Sequence, residues 1–246
     1  MVEVFPKAPI TEALIDIRVQ LPDTVTLENL EALADLIQSD YPKKKARRKW
    51  QGEVQFKEDS APVATSKDLG VDGYFFTSAD DKQVVQFRLD GFTFSRLRPY
   101  QQWSHLRDEA KRLWEVYNIQ VSPIMLDRLA VRYINSIEIP SKKFELEDYF
   151  TSPPNVPKGL PCLLEQFFSR ILVHFPEKGA KAFVTQTISE SSQPSITSII
   201  LDIDAFVDAS FKPGSENIWS TFETLRDLKN QVFFLSVTEK SKELFR

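Results

Sequence analysis

The sequence predicts an α+β protein, a twisted and mostly antiparallel sheet with helices packed on one face, built from a βαβββα unit that occurs twice. Three observations lead there. Val84 to Tyr117 reads as a tight hairpin running straight into an amphipathic helix. Ile10 to Leu21 and Met125 to Pro140 each alternate apolar and polar residues over the length of a long, half-buried strand. The order of elements after the first of these strands then starts again after the second, which divides one compact body into pseudo-repeats over residues 1–122 and 123–246.

In chain order, Ala13, Ile15, Ile17, Val19 and Leu21 form the apolar side of the first strand, with Glu12, Leu14, Asp16, Arg18 and Gln20 opposite. Thr26 is placed to cap a helix carrying Leu27, Leu30, Ala34, Ile37 and Tyr41 at helical spacing, which Pro42 ends. A basic run leads into a strand over Trp50 to Glu58, then a polar loop from Asp59 to Gly73 and a short strand over Tyr74 to Ser78. Asp90-Gly91 between alternating runs signals a two-residue type I′ turn. That register sets Leu89 opposite Phe92, Phe87 opposite Phe94 and Val85 opposite Arg96 on one face, leaving Gln86, Arg88, Thr93 and Ser95 on the other. Trp103, Leu106, Ala110, Leu113 and Tyr117 then make the helical stripe that covers the apolar face.

In the second half, Leu129, Val131, Tyr133, Ile137 and Ile139 share one side of the long strand, and 139–150 carries a helix signal like that at 21–30. A proline-rich loop at Thr151 to Pro161 separates this from strands expected at Leu164 to Phe175, Lys181 to Ser189 and Ser195 to Val207. A helix from about Ser215 buries Trp219, Phe222, Leu225, Leu228 and Val232.

Composition excludes several classes of function. With 27% charged residues, 12% aromatics and 7 glycines the chain is neither disordered nor low-complexity, and no apolar run is long enough for a membrane helix. MVEVFPKAPI lacks the parts of a secretory signal, and a single cysteine, Cys162, rules out an internal disulfide, so a cytosolic protein is expected. Two histidines and one cysteine are too few for a structural zinc cage, and no cofactor is expected. Phosphate-loop, dinucleotide, zinc-protease and nucleophile-elbow motifs are absent.

APITEALIDIRV, RLRPYQQW, DRLAVRYIN, LDIDAF and NQVFFLSVTE lie in that order along nearly the whole chain. In these stretches the sequence resembles a sporadically distributed family of prokaryotic proteins of about this length. The resemblance implies a bacterial or archaeal cytosolic origin and brings no activity, cofactor or catalytic residue with it.

Three sets of residues are candidates for chemistry. Arg96, Arg98, Tyr100 and Trp103 follow the hairpin, and Arg128 and Arg132 share a strand face, where arginine forks bind carboxylates or phosphates and aromatics stack. The competing reading is that Glu12 and Asp16 pair with Arg128 and Arg132 across neighbouring strands. Lys43, Lys44, Lys45, Arg47, Arg48 and Lys49 form a nucleic-acid patch or simply a solvated strand beginning after a helix C-terminus. Asp202 and Asp204 lie on one strand face, able to hold Mg²⁺, or else merely solvating that face. Cys162 reads as a small core residue.

The expected function is a non-enzymatic binding or assembly protein engaging a protein partner or itself through its sheet face or edge. The aromatic surplus, 19 Phe and 4 Trp, and runs such as Phe167-Phe168 and Phe233-Phe234 support it. The alternatives are a nucleic-acid-binding component of a prokaryotic defence or toxin-antitoxin type system, and a metal-dependent phosphodiesterase on Asp202 and Asp204.

Overall fold

The computed structural model describes residues 3–55, 63–155, 164–191 and 193–246. Nine strands form one continuous antiparallel sheet. They are β1 (Ile10–Gln20), β2 (Lys43–Gln55), β3 (Val63–Thr77), β4 (Gln83–Arg88), β5 (Gly91–Leu97), β6 (Met125–Ile139), β7 (Phe168–Phe175), β8 (Ala180–Ser189) and β9 (Thr197–Phe211). The helices are α1 (Leu27–Glu31), α2 (Leu33–Ile37), α3 (Trp103–Val121), α4 (Asn217–Ser236) and α5 (Glu239–Glu243). No helix among the described residues is long and apolar enough to cross a membrane.

The sheet order, β2-β3-β4-β5-β1-β6-β9-β8-β7, repeats one path twice. Each half lays its first strand at the centre, crosses to an outer edge, and returns strand by strand until its last strand lies beside its first. A long helix then packs on the strands just completed, α3 on β5 and β1, and α4 on β6 and β9.

The halves differ in two respects from the predicted unit. The first carries four strands after its crossover, and the expected loop at Asp59 to Gly73 is, from Val63 onward, the start of a long β3 paired with a β2 that already begins at Lys43. In the second, the helix signal at 139–150 yields only a one-turn 3₁₀ helix, Leu146–Asp148.

That second difference changes what is covered. In the first half α1 lies against β3 and α3, and the two short helices bury Leu30, Leu33 and Ile37, with Tyr41 just beyond them. Thr26 begins α1 with a reciprocal cap, its N–H donating to Asn29 Oδ1 at 2.8 Å. The predicted single helix is split at Ala32, where ψ is −21° and the turn tightens. No α-helix is described in the corresponding crossover from β6 to β7, and among the described residues β7 faces α4 across a depression.

The hairpin keeps its predicted faces but not its register. Phe87 lies opposite Phe92 and Val85 opposite Phe94, two residues from the expected pairing, so the turn is Leu89-Asp90 and Gly91 is a strand residue. Neither Leu89 nor Asp90 has positive φ, so the turn is not type I′. In this register Gly91 pairs with Arg18 of β1 as well as with Arg88, and only glycine fits there, because a Cβ would collide with the Ile17 carbonyl oxygen and lie 2.8 Å from the Arg88 guanidinium. A shift of two preserves the side-chain alternation, and Phe87, Phe92 and Phe94 are all buried.

Under α3, Phe87 stacks on Tyr117 with ring centroids 5.7 Å apart, and Phe92 meets Trp114 edge-on at 5.8 Å. Under α4, the buried Lys229 ammonium lies 3.6 Å from the Tyr133 ring centroid and donates to Asn230 Oδ1 at 2.6 Å. Burial, aided by the nearby charge of Arg226, pushes the Lys229 amine down to about 7. Between that value and the ordinary lysine range the unfolded chain holds a proton that the folded protein lacks, so stability rises with pH across this window. Lys229→Met is therefore expected to be more stable than the wild type at pH 6, by upwards of about 1 kcal/mol even after the attraction to Tyr133 is lost. The gain should shrink as pH rises, and urea melts at several pH values would show it; a pH-independent difference refutes the assignment.

Candidate functional site

Among the described residues the helices pack on one side of the sheet, and the other side, bare of helices, is nonetheless buried at its centre, where Thr93, Asp16, Ala130 and Phe206 are all less than a tenth exposed. Its centre is a row running across the strands, with Phe75, Gln86, Thr93, Asp16, Ala130, Phe206 and Lys181 side by side. Asp16 is the hub. Its carboxylate accepts from Thr93 Oγ1 at 2.6 Å and Arg88 Nη2 at 2.9 Å on Oδ1, and from Arg18 Nε at 3.2 Å on Oδ2. Arg88 is 3% exposed and also bonds Asp90 at 3.0 Å. Gly73 and Gly91 flank it in the neighbouring strands, where a side chain at Gly73 would strike the Phe87 backbone.

Arg128 and Arg132 are spoken for in the same way. Arg128 grips Asp204 with both contacts from Nη2, at 2.9 and 2.8 Å, and Arg132 forks onto Asp202 at 2.8 and 2.6 Å. The predicted pairing with β1 is thus largely replaced. Arg128 reaches Asp16 only at 3.4 Å, and no ion pair joins Arg132 to Glu12 among the described residues. Direct opposition does not dictate this choice: Arg128 lies opposite Asp208 and Arg132 opposite Asp204, so each arginine reaches diagonally along β9 to the carboxylate it holds.

The same bonds redefine Asp202 and Asp204, which act as counter-ions to arginines. Burial raises the Asp204 carboxyl above its ordinary value despite the attraction of Arg128, the opposite of what a cation-binding carboxylate needs. No cluster of three or more metal-ligating side chains occurs among the described residues.

The residues after the hairpin are dispersed. Arg96 is on the helix side, opposite Ala13 and Gln83, with its Nε buried and unpartnered. Tyr100 bonds the Tyr133 hydroxyl at 2.8 Å, and Trp103 Nε1 donates to Glu223 at 2.8 Å, so both tie the two halves together. Arg98 alone is exposed, at the mouth of a cavity of about 470 Å³ between the N-terminal segment and the C-terminus.

The basic run occupies the outer strand β2, and four of its six cations are locally neutralised. Lys43 pairs with Asp81 at 2.6 Å, and Lys44, Arg47 and Arg48 pair with Glu31, Asp72 and Asp68. Among the described residues Lys45 and Lys49 have no carboxylate partner. Cys162 lies outside the described residues.

What the sequence reading did not single out is β7, the last strand of the sheet on its far side. Phe168 is 70% exposed, and Ile171 and Leu172 are each 54% exposed, on opposite faces of the strand. Arg170 stacks its guanidinium 4.0 Å from the Phe183 ring centroid. The available signal was the run Ile171-Leu172-Val173, which breaks alternation and puts apolar groups on both faces.

Neither a protein-family model nor a curated protein matches the chain. The functional reading therefore rests on the two edges. β2 is long, interrupted by register shifts and studded with lysine and arginine, the devices by which an edge avoids adding further strands. β7 has fewer: it pairs with β8 without a shift, carries no lysine or proline, and has Arg170 as its one arginine.

Proposed function

We propose that the protein is a non-enzymatic, cytosolic binding or assembly protein that engages another protein, or a second copy of itself, through the free edge of β7. The observation that carries this reading is the exposure of Phe168, Ile171 and Leu172 on a regular, unguarded edge strand. Apolar surface continues around the strand, because Ile171, Val173 and Phe175 line a depression of about 370 Å³ closed on the other side by Val232 and Leu235 of α4. No α-helix like α1 and α2 of the first half packs here among the described residues.

The test is light scattering together with hydrophobic-dye fluorescence. The wild type is expected to show dye-accessible apolar surface, or to self-associate, and the double variant Phe168→Ser/Leu172→Ser to lose that property while its melting temperature stays close to wild type. A strictly monomeric wild type with no dye signal overturns the proposal.

Nucleic-acid binding is the second reading, supported by Lys45 and Lys49 on an exposed edge. With the other four cations of the run paired, it predicts few phosphate contacts and hence a shallow salt slope, about one unit lost for each of the two lysines changed to serine.

A further inference from the structure

We infer that the partner taken by β7 is an extended peptide segment of another protein that adds as a strand and places an acidic side chain opposite Arg170, with apolar side chains opposite Phe168 and Leu172. This rests on the edge reading above and names the chemistry of its partner.

Phe168, Arg170 and Leu172 share the bare face, since they lie opposite Thr187, Thr185 and Phe183 of β8. An added strand must present its side chains to that face at the same two-residue interval, so it meets an apolar, a cationic and an apolar position in turn. The cation is the informative one. The inner cations of this region each hold a carboxylate, Arg128 on Asp204, Arg132 on Asp202 and Lys181 on Asp208. Arg170 holds none among the described residues. Its guanidinium carbon lies over Phe183, 4.0 Å from the ring centroid, and its N–H donors are the groups a carboxylate would take.

A second copy fits poorly on the same grounds. β7 contains no acidic residue, and antiparallel self-pairing brings together residues of one face only. Arg170 would therefore meet Phe168, Leu172, His174 or another Arg170, never a carboxylate. Pairing β7 with β2 of a second copy would set Arg170 against a strand that opens with six cations in seven residues. Like charges placed opposite each other destabilise a strand pair, so charge selects a heterologous, acidic partner.

The test uses a labelled, end-capped synthetic peptide, valine-threonine-aspartate-threonine-valine, titrated with the full-length protein by fluorescence anisotropy. Its companions carry lysine in place of aspartate, or N-methyl groups on alternate amides. The aspartate peptide is expected to bind about tenfold tighter than the lysine peptide, Arg170→Glu to reverse that order, and N-methylation to abolish binding. If the lysine peptide binds as tightly as the aspartate peptide and both need free amides, the edge reading stands and the acidic partner is wrong. If N-methylation changes nothing, the edge reading fails and the inference with it. If no peptide binds and the wild type is a dimer that Ile171→Lys dissociates, a second copy takes the edge and the inference is overturned. No binding by a monomeric protein overturns both.

Discussion

Phe94→Ala is expected to lower the free energy of unfolding by about 3–5 kcal/mol, one of the two largest single-residue effects in the molecule. Phe94 is buried between Ile15 of β1 and Val85 of β4, on the side of the sheet covered by α3. Removing its ring forfeits the transfer free energy of the ring and leaves a cavity that two flanking strands and a long helix cannot readily close. A urea titration should show a lower midpoint with an unchanged slope, because the same surface is exposed on unfolding. Phe94→Leu should retain roughly half of the loss. A Phe94→Ala variant that melts like the wild type would mean that the helix-facing side of β5 has been misassigned.

Asp16→Asn should cost a comparable amount, about 3–5 kcal/mol, for an unrelated reason. It keeps the shape of the side chain but removes the charge that Arg88, 3% exposed, depends on. What remains for Arg88 is Asp90, 43% exposed, while Arg18 and Arg128 nearby add repulsion. The double variant Asp16→Leu/Arg88→Met should recover much of the loss, since well-packed apolar residues often replace a buried pair at little cost. Loss in the single variant without recovery in the double would point to packing or to the Thr93 bond instead.

The same residue sets an acid limit. Burial alone would raise the Asp16 carboxyl, but the charges of Arg88 and Arg18 and the hydrogen bonds from Thr93 and Arg88 outweigh it and hold it below the ordinary carboxylate value. Its contribution is complete above the unfolded-state value and is withdrawn as pH falls through that value to the lower folded one. Acid unfolding of Asp16→Asn should therefore show a smaller pH dependence below pH 4 than that of the wild type.

The chain order alone determined which side of β1, β4, β5 and β6 is apolar, the stripes of α3 and α4, and the twofold repetition of the path. These are local periodicities, and a side-chain period of two or of 3.6 survives any error in register by two residues. Hence Phe87 and Phe94 were assigned to the correct face although the pairing was displaced. Tertiary structure decided the rest. The turn lies at Leu89-Asp90 and Gly91 pairs with β1 as well as β4, a long-range pairing that no local pattern encodes. The loop expected from Asp59 became, from Val63, strand β3 because β2 offers it a partner, and pairing outweighs the poor strand propensity of Asp68, Gly70 and Asp72. The arginines and aspartates were each legible as charged side chains on a strand face, yet which carboxylate each arginine would hold depended on the sheet order, which sets β9 beside β6, and on the diagonal reach of each arginine along β9. The unguarded edge was hidden for the same reason: a strand becomes an edge only through the placement of the others, and FSRILVHF carries no mark of being last.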